Sequence, residues 1–192
     1  IRSLPGKYLH DIISHGICRL AEYLDGDNPT VLVNGHVSPL LKSIGEHDII
    51  DELRVIIDDN KNTTAFFSFS SQINPPVKQF TVYGPKSYII IDHNHQTVIT
   101  SSNSYKYYLN HFVPPLNYAT QYLKNSIRNV KNFVKRNHYF EIGRRNLIYN
   151  FYQSIVENSE LPIPYREIRL TYKIMDLIFN GLKTGPMKQK KA

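Results

Sequence analysis

Hydrophobic and polar positions change period twice along this chain, and the changes mark three blocks. In the first, Lys7–Leu24, apolar residues recur at helical spacing. At roughly 100° per residue, Ile13, Ile17, Leu20, Ala21 and Leu24 share one arc, while Asp11, His15, Cys18 and Glu22 share the opposite one. That pattern predicts a helix that buries one face and shows the other. It should stop near Asp25-Gly26-Asp27-Asn28-Pro29, with Gly26 as a left-handed cap and Pro29 blocking continuation. A turn at Leu4-Pro5-Gly6 would lead into it.

From Thr30 to about Ser101 the period falls to two, which predicts strands. They are expected at Thr30–Val37, Leu53–Ile57, Thr64–Ser70, Val77–Tyr83, Ser87–Asp92 and Thr97–Ser101, with Ser38–Asp48 as a loop holding one short helical turn. Short connections between successive strands predict an antiparallel meander. Several strands are apolar on both sides: Ile89 and Ile91 alternate with Tyr88 and Ile90. A face that apolar calls for a cover, from a partner, another domain or another subunit, and a homo-oligomer through the open sheet face is the expected arrangement.

The third block returns to helical spacing after an irregular stretch, Ser102–Pro115. One helix, Leu116–Lys135, would bury Tyr122, Leu123, Ile127, Val130 and Val134; a second, Gly143–Asn158, would bury Leu147, Phe151 and Ile155. A last helix, Tyr165 to about Leu182, would bury Ile168, Met175, Ile178 and Phe179, with Gly181 and Gly185-Pro186 ending it. Helix, strands, then helices predict an α+β fold: a mostly antiparallel, open-faced sheet with helices packed on one face. No internal boundary is marked, so residues 1–183 read as one domain and 184–192 as a basic tail.

Composition adds limits. The 192 residues carry a net charge of +7, with a pI of about 9.4, and 41% of them are hydrophobic, an ordinary globular share. No apolar run approaches the ~18 residues of a membrane span, so no membrane is expected. One cysteine, Cys18, forbids an internal disulfide and suits a cytoplasmic protein. The positive charge, concentrated at Lys124, Arg128, Lys131, Lys135, Arg136, Arg144 and Arg145, raises nucleic acid as an alternative partner. A solvated face of an amphipathic helix accounts for the same residues more simply.

Candidate chemistry is concentrated on the first helix. Asp11 stands one turn before His15, and a carboxylate so placed can hold an imidazole in one tautomer and favour its protonated form. Such a His can act as a general base, worth roughly 10²–10⁴-fold in rate. There is no Gly-rich phosphate loop, no CxxC, no HExxH and no GxSxG. His93 and His95 flank Asn94 at a hairpin tip, where polar turn residues are the commoner reading than a metal site.

Three stretches resemble a family. Pro5-Gly6-Lys7-Tyr8-Leu9-His10-Asp11-Ile12-Ile13-Ser14-His15 is similar to a Gly-rich turn followed by D-x-G-x-H on a helix. Val82-Tyr83-Gly84-Pro85-Lys86-Ser87-Tyr88, running on to Asp92, resembles a vyGtkGs…vD hairpin. Tyr172–Ile178, with its lead-in Leu161-Pro162-Ile163-Pro164-Tyr165-Arg166-Glu167, resembles a final helix. In this order they resemble the C-terminal domain of the Gfo/Idh/MocA oxidoreductases, the glucose–fructose oxidoreductase and inositol dehydrogenase group, over Leu4 to Leu182. The chain departs from the pattern at Ile13 and Ser87, where the family has Gly.

The resemblance implies a particular machine. NAD or NADP would be bound mainly by a Rossmann domain that this chain lacks, along with that domain's E-K-P lysine. The chain, which opens on Ile1, would then be the C-terminal half, not turning over alone. His15 would take the hydroxyl proton of a sugar or polyol, with Asp11 beside it. The alternatives are a basic nucleic-acid-binding module, or a dimerisation or scaffold domain in which Asp11 and His15 do no chemistry.

Overall fold

The computed structural model describes residues 8–101, 105–135 and 139–184. The expected turn at Leu4-Pro5-Gly6, the Gly185-Pro186 stop and the basic tail beyond Thr184 lie outside them. The chain is an α+β fold of α1 (Tyr8–Ala21), β1 (Thr30–His36), α2 (Pro39–Ser43), β2 (Glu52–Asp58), β3 (Thr64–Ser70), β4 (Gln79–Tyr83), β5 (Tyr88–Asp92), β6 (Thr97–Ser101), α3 (Val113–Val134), α4 (Tyr139–Glu157) and α5 (Tyr165–Thr184). A 3₁₀ turn at Tyr107–Leu109 interrupts the stretch expected to be irregular.

The six strands form two antiparallel three-stranded meanders, β1-β2-β3 and β4-β5-β6, rather than one sheet. β3 ends at Ser70 and β4 starts at Gln79, and the segment between them holds Asn74-Pro75-Pro76, where proline has no N–H to extend a ladder. Two compact units result where the sequence pattern marks no boundary. One is Ile1–Ile73 with Asn150–Ala192, the other Asn74–Tyr149, and α4 runs across the division.

In the first unit α1 and α5 pack antiparallel on one face of β1-β2-β3. Leu9, Ile13, Ile17, Ala21 and Leu24 of α1 and its C-terminal turn meet Leu53, Val55 and Ile57 of the central strand and Leu170, Ile174, Ile178 and Phe179 of α5. Each fully buried Leu or Ile contributes roughly 1.5–3 kcal/mol. Gly181 lies inside α5 instead of ending it, because a Cβ there would stand 2.4 Å from Val33 Cγ1 on β1. Gly26 likewise is no left-handed cap; a Cβ would stand 1.9 Å from the Asp59 carbonyl oxygen. Both glycines are required by close approach.

The other face of this sheet is open. The register places Leu32 opposite Ile56 and Ile56 opposite Phe66, so one apolar row crosses all three strands. All three side chains are exposed, Phe66 by 73%. Polar rows flank it, Asn34–Arg54–Ser68 on one side and Thr30–Asp58–Thr64 on the other.

The second unit inverts an expectation. α3 turns Gln121, Asn125 and Asn129 inward and leaves Tyr122, Leu123, Ile127, Val130 and Val134 exposed. The cause is the outer edge of β6, whose unpaired backbone groups need hydrogen-bonding partners that apolar side chains cannot supply. α4 also exposes Leu147, Phe151 and Ile155. With Ile148, Tyr149, Tyr152 and Val156 its apolar residues spread over about half of the circumference, at roughly 100° per residue, so they define no narrow stripe to face a core. In α5, Met175, Ile178 and Phe179 are buried as expected, and Ile168 is exposed.

Candidate active site

The helix pair of the first unit is held by contacts at one end. Arg166 donates through Nε to Asp27 (2.8 Å) and through Nη2 to the Leu24 carbonyl (2.8 Å). The Lys173 ammonium reaches the Asp27 carbonyl at 3.0 Å. Two cations from α5 thus sit where α1 runs out, the end of a helix that attracts positive charge. At the opposite end the His10 ring stacks on Phe179, with centroids 5.3 Å apart and planes at 13°.

Between these fastenings runs a groove of about 790 Å³ with α1 as one wall and α5 as the other. Asp11, His15, Cys18 and Glu22, the four residues placed on the exposed arc by spacing, all lie on the α1 wall. His10, Ser14 and Arg19 widen it. The α5 wall contributes Glu167, Thr171 and Tyr172, and Ile163, Ile168 and Met175 give it an apolar floor and rim. This second wall was not legible in the sequence, because α5 lies about 150 residues downstream and its polar side looks like any solvated helix face.

Asp11 and His15 are exposed to the groove rather than packed under apolar neighbours. Among the described residues no hydrogen bond or ion pair joins the two side chains. Residues at i and i+4 of a helix have Cβ atoms about 5–6 Å apart, so a rotamer change at either brings carboxylate and ring together. The helix itself is braced locally: Ser14 Oγ donates to the Asp11 carbonyl at 2.7 Å and Cys18 Sγ to the His15 carbonyl at 3.2 Å. The Cys18 thiol is therefore turned to its own backbone.

The hairpin histidines separate. His95 Nδ1 pairs with Asp92 Oδ2 at 2.7 Å, and this bond outweighs burial, which would raise the Asp92 carboxyl, and holds it below its ordinary value. Backbone N–H groups of Asn94 and His95 add to it, which makes this a braced turn. Among the described residues no three His, Cys, Asp or Glu side chains gather as a metal site would require.

Among the described residues no strand passes through a Gly-rich turn into a helix, and α5 begins after Pro162-Ile163-Pro164, which offers few backbone donors to a pyrophosphate. Among the described residues no helix is long and apolar enough to cross a membrane. No family model matches the chain, and no curated protein or solved structure matches it either.

Proposed function

We propose that the α1–α5 groove is the substrate side of an NAD(P)-dependent oxidoreductase of the cytoplasm acting on a hydroxyl of a sugar or polyol. The observation that carries this reading is the placement of Asp11 and His15 together on one wall of an open groove, facing hydroxyl-binding groups on the other. A polyol needs many donors and acceptors over a modest apolar floor, and Glu167, Thr171 and Tyr172 supply the former while Met175 and Ile168 supply the latter. The motifs that resemble the Gfo/Idh/MocA family support the choice of reaction.

The part given to this chain is binding and proton transfer. A neutral His15 accepts the hydroxyl proton as the alcohol becomes a carbonyl, and Asp11, one turn away, stabilises the imidazolium that forms. The oxidant, NAD or NADP, is assigned to a nucleotide-binding domain outside residues 1–192.

Binding can be read without the cofactor. In the chain labelled with ¹³C at histidine, titration with inositol, glucose and other polyols should shift the His15 and His10 ring signals saturably. His36 and His47, exposed on β1 and in the loop before β2, should stay still. Polyols that move none of the histidines, or move all of them alike, would leave the scaffold alternative standing instead.

A further inference from the structure

α3 is fixed in rotation about its own axis. Gln121, Asn125 and Asn129, one turn apart, press their carboxamides against the outer edge of β6. Gln121 Nε2 donates to the Thr100 carbonyl (2.9 Å) and its Oε1 accepts from the Thr100 N–H (2.8 Å). Asn125 repeats the pair at Val98, donating at 2.9 Å and accepting at 3.4 Å, and Asn129 donates to the His95 carbonyl at 2.9 Å. Three side chains thus stand in for a missing strand. Turning the helix over to bury its apolar side would orphan the β6 edge and the carboxamides together.

The side opposite those carboxamides carries Leu116, Leu123, Ile127, Val130 and Val134, each between 47% and 73% exposed. Their spacings of seven, four, three and four residues, with Thr120 in the gap, are those of a coiled-coil seam, apolar at the first and fourth positions of each heptad. The charges beside the seam are one-sided. Lys124 and Lys131 line one flank, with Arg128 and Lys135 behind them, while Ala119, Ser126 and Phe133 line the other. No Asp or Glu occurs from Val113 to Lys135.

That distribution selects among occupants. Two copies of α3 paired parallel would set Lys124 and Lys131 against Ala119 and Ser126; paired antiparallel, they would set lysine against lysine. Neither arrangement of two copies brings opposite charges together. An anionic membrane meets an inserted helix on both flanks and gives no reason for cations on one alone. A partner helix does, because it presents one edge to each flank of the seam.

We infer that the outward seam of α3 docks an amphipathic helix of another protein, with apolar side chains at heptad spacing and carboxylates along the edge that meets Lys124 and Lys131. This surface lies in the second unit and does not depend on the reading of the α1–α5 groove.

The test uses two synthetic three-heptad peptides with the same leucine and isoleucine seam, one carrying Glu and the other Lys at the flanking positions. Binding to the whole chain is followed by fluorescence anisotropy. The Glu peptide should bind tighter by roughly tenfold, less so at high salt. The doubly substituted Lys124→Glu, Lys131→Glu chain should reverse the preference, and Ile127→Asp should abolish binding of either peptide with the circular dichroism spectrum unchanged. Equal affinities for the two peptides would overturn the inference, as would failure of the double substitution to reverse the order. So would tighter binding to phosphatidylserine vesicles or single-stranded DNA than to the Glu peptide, or self-association of the chain that Ile127→Asp removes.

Discussion

Asp59 shows what a buried carboxylate does in this fold without a cation. It is 2% exposed, and burial alone would raise its pKa; four backbone N–H groups, from Asp25, Lys61, Asn62 and Thr63 at 2.8–3.0 Å, outweigh that and lower it to about 2. Asp51 is held in the same manner: burial pushes it up, and bonds from Ser38, Ser71 and Gln72 bring it below its ordinary value. For Asp59 the folded pKa lies under the ordinary 3.8, so the ionised form stabilises the fold fully above about pH 4. The contribution, about 2 kcal/mol at 1.36 kcal/mol per unit, fades as pH falls through about 2. Urea unfolding of Asp59→Asn should therefore show a deficit of about that size at pH 7 that closes toward pH 2. A deficit that does not change with pH would contradict the assignment. Neither aspartate stood out in the sequence, since Asp59 takes one of its bonds from a residue 34 positions away. Asp11 and His15 did stand out, because helical spacing alone places them on one face.

Among the elements, those with strict period were legible and those set by an edge were not. α1, β2 and β3 turn to the core the residues their alternation assigns, fully buried in α1 and β2 and partly buried in β3, although Ile56 and Phe66 leave apolar side chains on the open face of the sheet as well. α3 has equally clear sides yet faces the other way, because the β6 edge needs donors and acceptors more than the unit needs another apolar layer. The expectation of a covered sheet face rests on Tyr88–Ile91 of β5; in the other sheet, the row Leu32–Ile56–Phe66, bordered by polar rows, is an apolar strip on an open face. We propose that two copies pair through this row, which is apolar at its centre and polar at its rim as stable interfaces are. Phe66→Lys would then place two ammonium groups at the centre of the contact, and sedimentation equilibrium should show the dimer of the parent chain replaced by monomer. A parent chain that sediments as monomer, or a dimer that survives the substitution, would rule this out.

At the scale of the whole molecule, the α+β class followed from the order of the three blocks, and the division into two units did not. Six strands with short connections read as one sheet, and only Asn74-Pro75-Pro76, in the connection between β3 and β4, signalled otherwise. The functional account rests on the first unit, where residues near both ends of the chain build one groove. Its central claim is that His15 in that groove takes a proton from a hydroxyl. The direct measurement is steady-state turnover of polyols with NAD or NADP by a polypeptide that carries this chain and the nucleotide-binding domain proposed for it, comparing parent, Asp11→Asn and His15→Ala. The account predicts that His15→Ala lowers kcat by roughly 10²–10⁴-fold with KM little changed, and that Asp11→Asn lowers it less. A kcat for His15→Ala equal to that of the parent would contradict it.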